Sequence, residues 1–443
     1  MEFLDNSVLP QSSHHMHLLK YLLVLTNLIL YSYVGTLWGS FVISLYYKGL
    51  AQKHNTQKYN EIAKYIIDLV TFNKSVSFGL GIIPMLSSAF CYAQLLHLSG
   101  IQAAGYIIIS SVFLFISIIF VYTYKHTFHL SDILDRSAND STDKISDEKK
   151  NYLDGTKKLN SSSGFWGVTT LSLTILFYFS ASQFASDSTS WSQRNSFFGI
   201  IFSLDSIISF LQFITLAFIA SSALLLYKIF HVDKKLDEAE FGELKNKLLI
   251  VLLISLILIH ALVVLLIMIK PSNTLSYEYF TISIVVFGLI LWLVISVYQM
   301  LKNNLVKNSS NIFFMVVFLL FFLVLKEQYA FDSATKQHFE MLSANYKEFT
   351  TNLKKEMGMF SEQISGVDIY NGRCIACHNF DQKIVGPPYN DVLPKYVDKK
   401  DELVKYILNP VKINPEYPAM PNQGLKPNEA EAVAEYLLTT YKK

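Results

Sequence analysis

Near its C-terminus the sequence reads Cys374-Ile375-Ala376-Cys377-His378, a Cys-x-x-Cys-His pentapeptide in a chain of 443 residues. Two thiols three residues apart lie on one helical turn, where both can reach the two vinyl groups of one porphyrin, and the next residue offers its imidazole to the iron. This spacing is the pattern for attachment of a c-type haem. The sequence therefore predicts one covalent haem c held by Cys374 and Cys377, with His378 as an iron ligand.

Two other kinds of site use similar residues. A structural zinc site needs four ligands, and the sequence contains no Cys or His after His378. A thioredoxin-like redox pair occurs within a βαβ pattern, which the surrounding sequence lacks. Three cysteines in the whole chain are also too few for a disulfide framework. The haem interpretation is therefore the one we carry forward.

A second iron ligand is predicted at Met420, within Tyr417-Pro418-Ala419-Met420-Pro421. A thioether opposite a histidine raises the reduction potential of a haem iron. The alternative is a methionine that only fills the core, the usual role of a lone Met. Flanking prolines give this segment a low helix propensity, which favours ligation.

With these motifs, residues 365–443 resemble a class I monohaem cytochrome c domain. The resemblance rests on Gly366 and Tyr370 in a first helix, the haem-attachment pentapeptide, Gly386-Pro387-Pro388, Met420 with Pro421, and a last helix bearing Tyr436 and Leu437. It implies a small all-α fold, a Gly-Pro-Pro turn behind the proximal histidine, and one-electron transfer. The last helix is expected to begin at Pro427 and to present Ala430, Val433, Ala434, Leu437 and Leu438 on one face.

The rest of the chain has the composition of a membrane protein. Apolar residues make up 51% and charged residues 16% of the sequence, against about a quarter charged in soluble domains. A helix needs about 20 apolar residues to cross the bilayer, and eight segments meet or approach this length, the eighth being short. The predicted spans are 18–47, 75–97, 101–124, 165–185, 197–230, 248–269, 278–301 and 311–326.

The charges of the loops predict the topology. Lysines concentrate in the odd-numbered loops, whereas the even-numbered loops carry only Arg194 and Lys270. Because short cytoplasmic loops collect Lys and Arg, both termini are expected on the exported face, with the first span as an uncleaved anchor. We therefore expect a multi-pass protein of a bacterial inner membrane with a periplasmic C-terminal domain.

Two further segments complete the predicted organisation. The polar stretch 125–164 predicts a solvated connection without regular structure. Beyond residue 326, apolar residues from Phe339 to Ile364 recur every three or four positions and predict an amphipathic helix, which packs either on its own membrane part or as a coiled coil. The predicted fold is all-α: an eight-span bundle over 1–326, a helical stalk over 327–364 and a cytochrome c domain over 365–443.

Polar residues in the spans give candidate sites in the membrane region. His17, His97 and His260 are candidate haem b ligands, although histidines near span ends also serve as interfacial caps. Four further residues cluster toward the exported face and could line a pocket for a quinol headgroup, or, for Asp205, lie at the interface: Gln183, Asp187, Asp205 and Gln212.

The membrane region also resembles, distantly, subunit I of cytochrome bd quinol oxidases. The likeness lies in the span order, a histidine before the first span, and Phe78-Gly79-Leu80-Gly81 in the second. The sequence departs from that family in lacking paired acidic residues in the third span and a histidine in the fifth. Bacterial urate-oxidising membrane proteins share only the order of an eight-span region and a cytochrome c tail.

Together these features predict a membrane-anchored c-type cytochrome that transfers single electrons within a respiratory complex. Its expected partners are other subunits of that complex or a soluble electron carrier, together with lipid and, in one hypothesis, quinol. The alternative is a membrane oxidoreductase that oxidises quinol or another substrate and reduces its own fused cytochrome c. A formal charge of +2 and the lack of a basic arm argue against a nucleic-acid partner.

Overall fold

The computed structural model describes residues 10–139, 147–193, 196–233, 238–303, 308–357 and 365–441. These residues form helices and connecting loops without a β-strand. The chain divides into two compact units, residues 1–347 and residues 348–443. We call the first the membrane unit and the second the head, and describe each by itself.

Eight helices of the membrane unit are long and apolar enough to cross a membrane. They correspond in order to the eight predicted spans, so the predicted all-α architecture is confirmed. The helices are α1 Ser13–His54, α2 Gln57–Val70, α3 Lys74–Leu95, α4 Ala103–Asn139, α5 Asp147–Ala185, α6 Phe197–Ile201, α7 Leu204–Asp233, α8 Glu238–Ile269, α9 Tyr277–Asn303, α10 Ser309–Ala334 and α11 Lys336–Glu356. The candidate spans are all of these except α2, α6 and α11.

Local signals in the sequence set the ends of the first helix. The side chain of Ser12 accepts a hydrogen bond from the backbone N–H of His15 and caps the N-terminus of α1. At the other end, Asn55 adopts a left-handed conformation with φ of 48°, which asparagine tolerates better than most residues. A single helix of 42 residues results, longer than the bilayer requires.

Small residues allow α1 and α7 to approach closely. A Cβ atom on Gly39 would overlap the side chain of Ser221 and the backbone of Ala217. The Ser221 hydroxyl donates across the interface to the carbonyl of Thr36, at 3.2 Å. Close backbone contact and interhelical hydrogen bonds are the interactions that hold helices together in lipid, where apolar burial gives little preference for one neighbour.

The outward faces of α8 and α9 are apolar. Ile257 on α8 and Ile284 on α9 are 58% and 72% exposed in the isolated chain. In water such faces would be unfavourable, whereas hydrocarbon solvates them. These two helices therefore present a surface suited to lipid.

The expectation that residues 125–164 lack regular structure is wrong. Helix α4 continues to Asn139 and α5 begins at Asp147, so only residues 140–146 of that stretch lie outside the described residues. The extensions are held by polar contacts between the two helices. Asn160 donates to the carbonyl of Tyr124 at 2.7 Å, and Lys157 pairs with Asp135 at 2.9 Å. The polar residues of this stretch therefore belong to the end of α4 and the start of α5, where the two helices continue past their apolar segments.

Two predicted span boundaries are also corrected. The fifth predicted span, 197–230, is interrupted at Ser203, whose extended backbone separates the short α6 from α7. The eighth helix extends past the predicted end at residue 326 to Ala334. The sequence pattern predicts too early an end because Lys326 and Glu327 are charged, and their ion pairs within the unit appear only in the structure.

Beyond α10, the predicted amphipathic helix is present as α11, which ends at Glu356. Its first apolar residues, Phe339 and Leu342, are buried in the membrane unit, whereas Phe349 and Leu353 are more than a third exposed. The last part of the predicted seam, residues 358–364, lies outside the described residues.

The described residues of the head contain the end of α11, four further α-helices and a 3-10 turn at Leu393–Tyr396, and the core of the head is small. The four helices are α12 Gly366–Ile369, which continues as a π-helical turn Tyr370–Cys374, α13 Tyr389–Val392, α14 Lys400–Leu408 and α15 Pro427–Tyr441. As predicted, α15 begins at Pro427, and its Ala430, Val433 and Ala434 are fully buried. A Cβ atom on Gly366 would overlap the backbone of Ala432, so only glycine lets α12 cross α15 at this distance.

Candidate functional site

The pentapeptide follows directly from the first helix of the head. The backbone N–H groups of Cys377 and His378 both donate to the carbonyl of Cys374, at 3.2 and 3.0 Å. This turn carries the chain through one helical revolution, so the two sulfur atoms lie on the same side of the backbone. Cys374 is buried and Cys377 half-buried. Both cysteines line the same cavity of the head, and Cys377 is the more accessible of the two.

The orientation of His378 is fixed by the loop that follows. Its Nδ1 lies 3.0 Å from the carbonyl oxygen of Pro387, which can only accept a hydrogen bond, so Nδ1 carries the proton. The Nε2 atom is then left with a lone pair for a metal ion. This is the usual way in which a second hydrogen bond selects the tautomer of a ligating histidine.

Gly386 brings that loop against the histidine. A Cβ atom at this position would overlap the His378 ring, and the Gly386 N–H donates to the carbonyl of Cys377 at 2.8 Å. The aromatic ring of Tyr389 stacks on the other side, with ring centroids 5.0 Å apart. Burial raises the pKa of the Tyr389 hydroxyl, so this neighbour stays uncharged at neutral pH.

Met420 lies in the same cavity as the pentapeptide. The cavity has a volume of about 250 Å³, and Cys374, Cys377, His378 and Met420 all line it. Met420 belongs to a segment without helix between α14 and α15. The structure therefore brings together all four residues that the sequence singled out in the head, although they are separated by up to 46 positions.

The remaining walls of the cavity are mostly aliphatic and aromatic. Its charged lining residues, Arg373, Lys395 and Lys412, are all cationic. An apolar cavity with two thiols, an imidazole that presents Nε2 and a thioether matches the donor set and the surface of a covalently attached haem. The apolar walls include Val385, Leu393, Leu403, Ile407, Val411, Ile413, Leu425 and Leu437.

The three histidines proposed for the membrane unit lie in different surroundings. His17 is exposed in the first turns of α1, and His260 on α8 is half-buried with its ring 4.9 Å from that of Phe287. His97 is buried after α3, and it contributes to the electrostatic surroundings of His338. Burial lowers the pKa of His338. Sequence analysis did not single out His338, because it lies beyond the predicted spans.

The four polar residues expected near the exported face separate into two pairs. Asp187 accepts hydrogen bonds from Thr189 and Ser190 in the turn after α5, and Asp205 lies in the first turn of α7. Gln183 and Gln212 instead line a second pocket.

The second pocket also contains a carboxylate that sequence analysis had assigned to the stalk. Glu327 lines it and pairs with Lys270, at 2.9 Å. The predicted eighth span ends at residue 326, which leaves this carboxylate outside the predicted bundle. The signal that could have found it is Lys270, a single basic residue in an even-numbered loop, which requires an acidic partner when buried.

Comparison with known proteins relates the head to one family. A family model described as cytochrome c matches residues 364–441. Cytochrome c-551 of Pseudomonas denitrificans is 34% identical over 80 residues, which cover 17% of this chain and 96% of that protein. Cytochrome c-552 of Nitrosomonas europaea is 35% identical over 71 residues, 15% of this chain and 68% of that protein. No solved structure matches the chain.

Proposed function

This chain belongs to the cytochrome c family through its C-terminal domain, so the head carries a covalent haem c and transfers electrons. We propose that it does so on the exported face of a bacterial inner membrane, as a subunit of a respiratory complex. The carrying observation is the single cavity that collects both thiols, His378 and Met420 in a chain with eight apolar helices of membrane-spanning length.

In this proposal each residue of the cavity has a separate task. Cys374 and Cys377 would form the thioether links, and His378 and Met420 would supply the two side-chain ligands of the iron. Pro387 holds the His378 ring through its carbonyl, and the apolar walls exclude water from the site. The bound haem supplies reversible one-electron chemistry, so the protein needs neither a nucleophile nor an acid–base pair.

The role of Met420 is tested by Met420→Ala. Loss of the thioether should leave the haem attached, lower its reduction potential and open a coordination position, since a Met ligand raises the potential relative to water or a second nitrogen ligand. A matched control is Met357→Ala, an exposed methionine directly after α11. An unchanged potential and spectrum in Met420→Ala would mean that another residue binds the iron.

The exported location is supported by the distribution of lysines over the loops. An alkaline phosphatase fused after Lys443 should be active, because that enzyme folds only outside the cytoplasm, and a β-galactosidase fused at the same place should be inactive. The reverse pattern would contradict the topology.

The complex is tested by native electrophoresis in mild detergent, where the chain should migrate with other subunits identified by mass spectrometry. Recovery of the 50.5 kDa chain alone would contradict that part of the proposal.

A second candidate function is a membrane oxidoreductase that oxidises quinol and reduces its own head. One observation favours it: two of the polar residues expected to meet a quinol, Gln183 and Gln212, line a pocket with Glu327 in the membrane unit. A haem b at His17, His97 or His260 would serve the same function. Extraction with acid acetone separates the possibilities, because it removes haem b and leaves thioether-linked haem c in place.

A further inference from the structure

The membrane unit contains a cluster of three charged side chains, in which two buried lysines each contact the half-buried carboxylate of Glu327; Lys270 lies in the turn after α8, and Lys326 and Glu327 lie on α10. Lys270 Nζ lies 2.9 Å from Glu327 Oε2, and Lys326 Nζ lies 3.3 Å from Glu327 Oε1. Lys270 also donates to the side-chain carbonyl of Gln183 at 3.1 Å. The Lys326 side chain is completely buried and that of Lys270 is 2% exposed.

The composition of this cluster is not that of a simple structural ion pair. Two ammonium groups face one carboxylate, and Lys326 Nζ lacks a well-aligned hydrogen-bond acceptor among the described residues. Removing charges from water is costly even when they are paired, and an ionisable cluster inside a membrane protein usually has a functional role.

Glu327 connects this cluster to an adjacent pocket between α1, α5, α7 and α10. Aromatic residues form part of its wall, and Gln183, Gln212 and Ser209 supply polar groups. Ser209 is 2% exposed, and its hydroxyl has no hydrogen-bond partner among the described residues. The other lining residues are Tyr31, Phe179, Phe213, Leu216 and Leu323.

The position of the pocket along the helices restricts what can enter it. Glu327 lies roughly 10 Å along α10 from its end at Ala334, at 1.5 Å per residue, and Ser209 lies roughly 8 Å into α7 from Leu204. The pocket is therefore lined by helices that are long and apolar enough to cross a membrane, toward the end at which α10 stops. A ligand that enters it from lipid must be soluble there and still carry hydrogen-bonding oxygens.

We propose that this pocket binds the headgroup of a membrane quinol, with one hydroxyl directed at Glu327 and Ser209. A quinol combines an aromatic ring, which suits the walls, with hydroxyl groups that donate to a carboxylate and accept from a serine. This inference rests on the second candidate function and names its substrate class and site. Lys270 and Lys326 are positioning residues, which hold the two oxygens of Glu327.

The size of the cavity determines how the headgroup would sit. Its volume of about 20 Å³ is that of one water-sized group. A hydroxyl oxygen can occupy it, while the ring remains at the open side of the pocket. Gln212, a polar residue of the pocket wall, is half-buried.

The site is tested by photolabelling of the full chain in lipid nanodiscs with an azido-substituted benzoquinone. Labelled peptides should come from α1, α5, α7 or α10, and an excess of decylubiquinone should suppress the labelling. Labelling confined to other helices, or labelling that decylubiquinone does not suppress, would overturn the proposal. The c-type spectrum and its reduction by dithionite are recorded on the same samples, so a failure of the head is distinguished from a failure of this site.

Two variants change the pocket without removing a charge. Ser209→Leu fills the space for the hydroxyl, and Gln212→Leu removes a polar group at the entrance; each should reduce the competed labelling about tenfold, the equivalent of one lost hydrogen bond or a blocked site. A matched control is Asp332→Asn, which removes a carboxylate of α10 that pairs with Lys20 outside the pocket. Labelling that persists at full strength in both pocket variants would overturn the assignment.

Glu327→Gln provides a second measurement that does not rely on filling space. The amide keeps the shape of the side chain and loses the charge that accepts the quinol hydroxyl, so competed labelling should fall while Asp332→Asn retains it. If the variant does not fold, Ser209→Leu and Gln212→Leu decide the question. Unchanged labelling in folded Glu327→Gln would contradict the role given to this carboxylate.

Discussion

The head and the membrane unit gain their stability in different ways. The buried core of the membrane unit runs from Met16 to Leu342 and involves all of its spans. The head has a far smaller core, which surrounds a cavity of about 250 Å³. A domain this small buries little apolar surface of its own, so a covalently held porphyrin must supply much of the missing contact. Loss of the cofactor should therefore affect the head and leave the membrane unit folded.

The two units also differ in how far apart their interacting residues lie in the sequence. Three of the four residues predicted to bind the haem, Cys374, Cys377 and His378, fall within one pentapeptide. In the membrane unit, by contrast, Gln183, Lys270 and Glu327 come from three separate helices or turns. A site whose residues are close together in the sequence can be recognised as a motif, whereas a site whose residues are brought together by helix packing cannot.

The sharpest test of this contrast is His378→Ala. Without the imidazole, the iron loses the ligand that Pro387 orients, and the low-spin c-type absorption spectrum should disappear. The membrane unit should remain folded, as judged by helical circular dichroism in detergent. A retained low-spin spectrum would show that His378 is not an iron ligand.

The second test concerns the buried charges of the membrane unit. Glu327→Ala leaves two buried lysines without their carboxylate and should lower the free energy of unfolding by about 3–5 kcal/mol, measured in mixed micelles of increasing denaturing detergent. Lys326→Met is the control, since it removes the excess charge and keeps an apolar chain of similar length. Its stability should equal or exceed that of the wild type, and the opposite order of the two variants would refute this view of the cluster.

A third and smaller effect is expected at the glycine beside the histidine. Gly386→Ala places a methyl group in the His378 ring, and strain of this kind costs about 1–3 kcal/mol. Gly372→Ala is the control in the same unit, because a Cβ atom there meets nothing within 4 Å. Guanidinium unfolding followed by haem absorbance should separate the two variants, and equal stabilities would mean that the loop does not hold the histidine.

The smallest effect is expected at an exposed ion pair of the head. Lys400 donates to Glu435 at 2.7 Å and thereby lowers the pKa of that carboxyl. A lowered pKa in the folded state stabilises above the unfolded value of 4.5, and this contribution is lost as the pH falls through the lowered value. Lys400→Met should thus reduce Tm slightly at pH 7 and low salt, and the difference should shrink as the pH falls below 4.5. A difference that does not shrink with falling pH would have another cause.

Much of the fold could be predicted from the sequence, because most of the spans are long apolar segments that can be recognised without a distant partner. The eighth helix was predicted too short for a physical reason: Lys326 and Glu327 have the charges expected at a membrane boundary, and only Lys270 makes them acceptable inside. The polar stretch from residue 125 was taken as irregular because its helix-stabilising contacts, such as Asn160 with Tyr124, join residues far apart.

The four residues of the candidate site in the head could each be predicted, since the Cys-x-x-Cys-His spacing is specific for haem attachment and Met420 lies in the segment Pro418-Ala419-Met420-Pro421. Its position beside Gly386 and Pro387 was implied by the family resemblance, and its cavity was not visible in the sequence. In the membrane unit, Gln183 and Gln212 were named from their polarity alone. Their neighbours Ser209 and Glu327 were not, because a serine in a span and a charge after one are both ordinary.

The central claim is that the electron-transfer chemistry of this chain resides in one haem covalently attached to the head. Its most direct test is a pyridine haemochrome spectrum of the purified full chain, recorded before and after extraction with acid acetone. We predict one haem c per chain, which resists extraction. A preparation whose haem is entirely extracted, or whose spectrum lacks haem c, would contradict the claim.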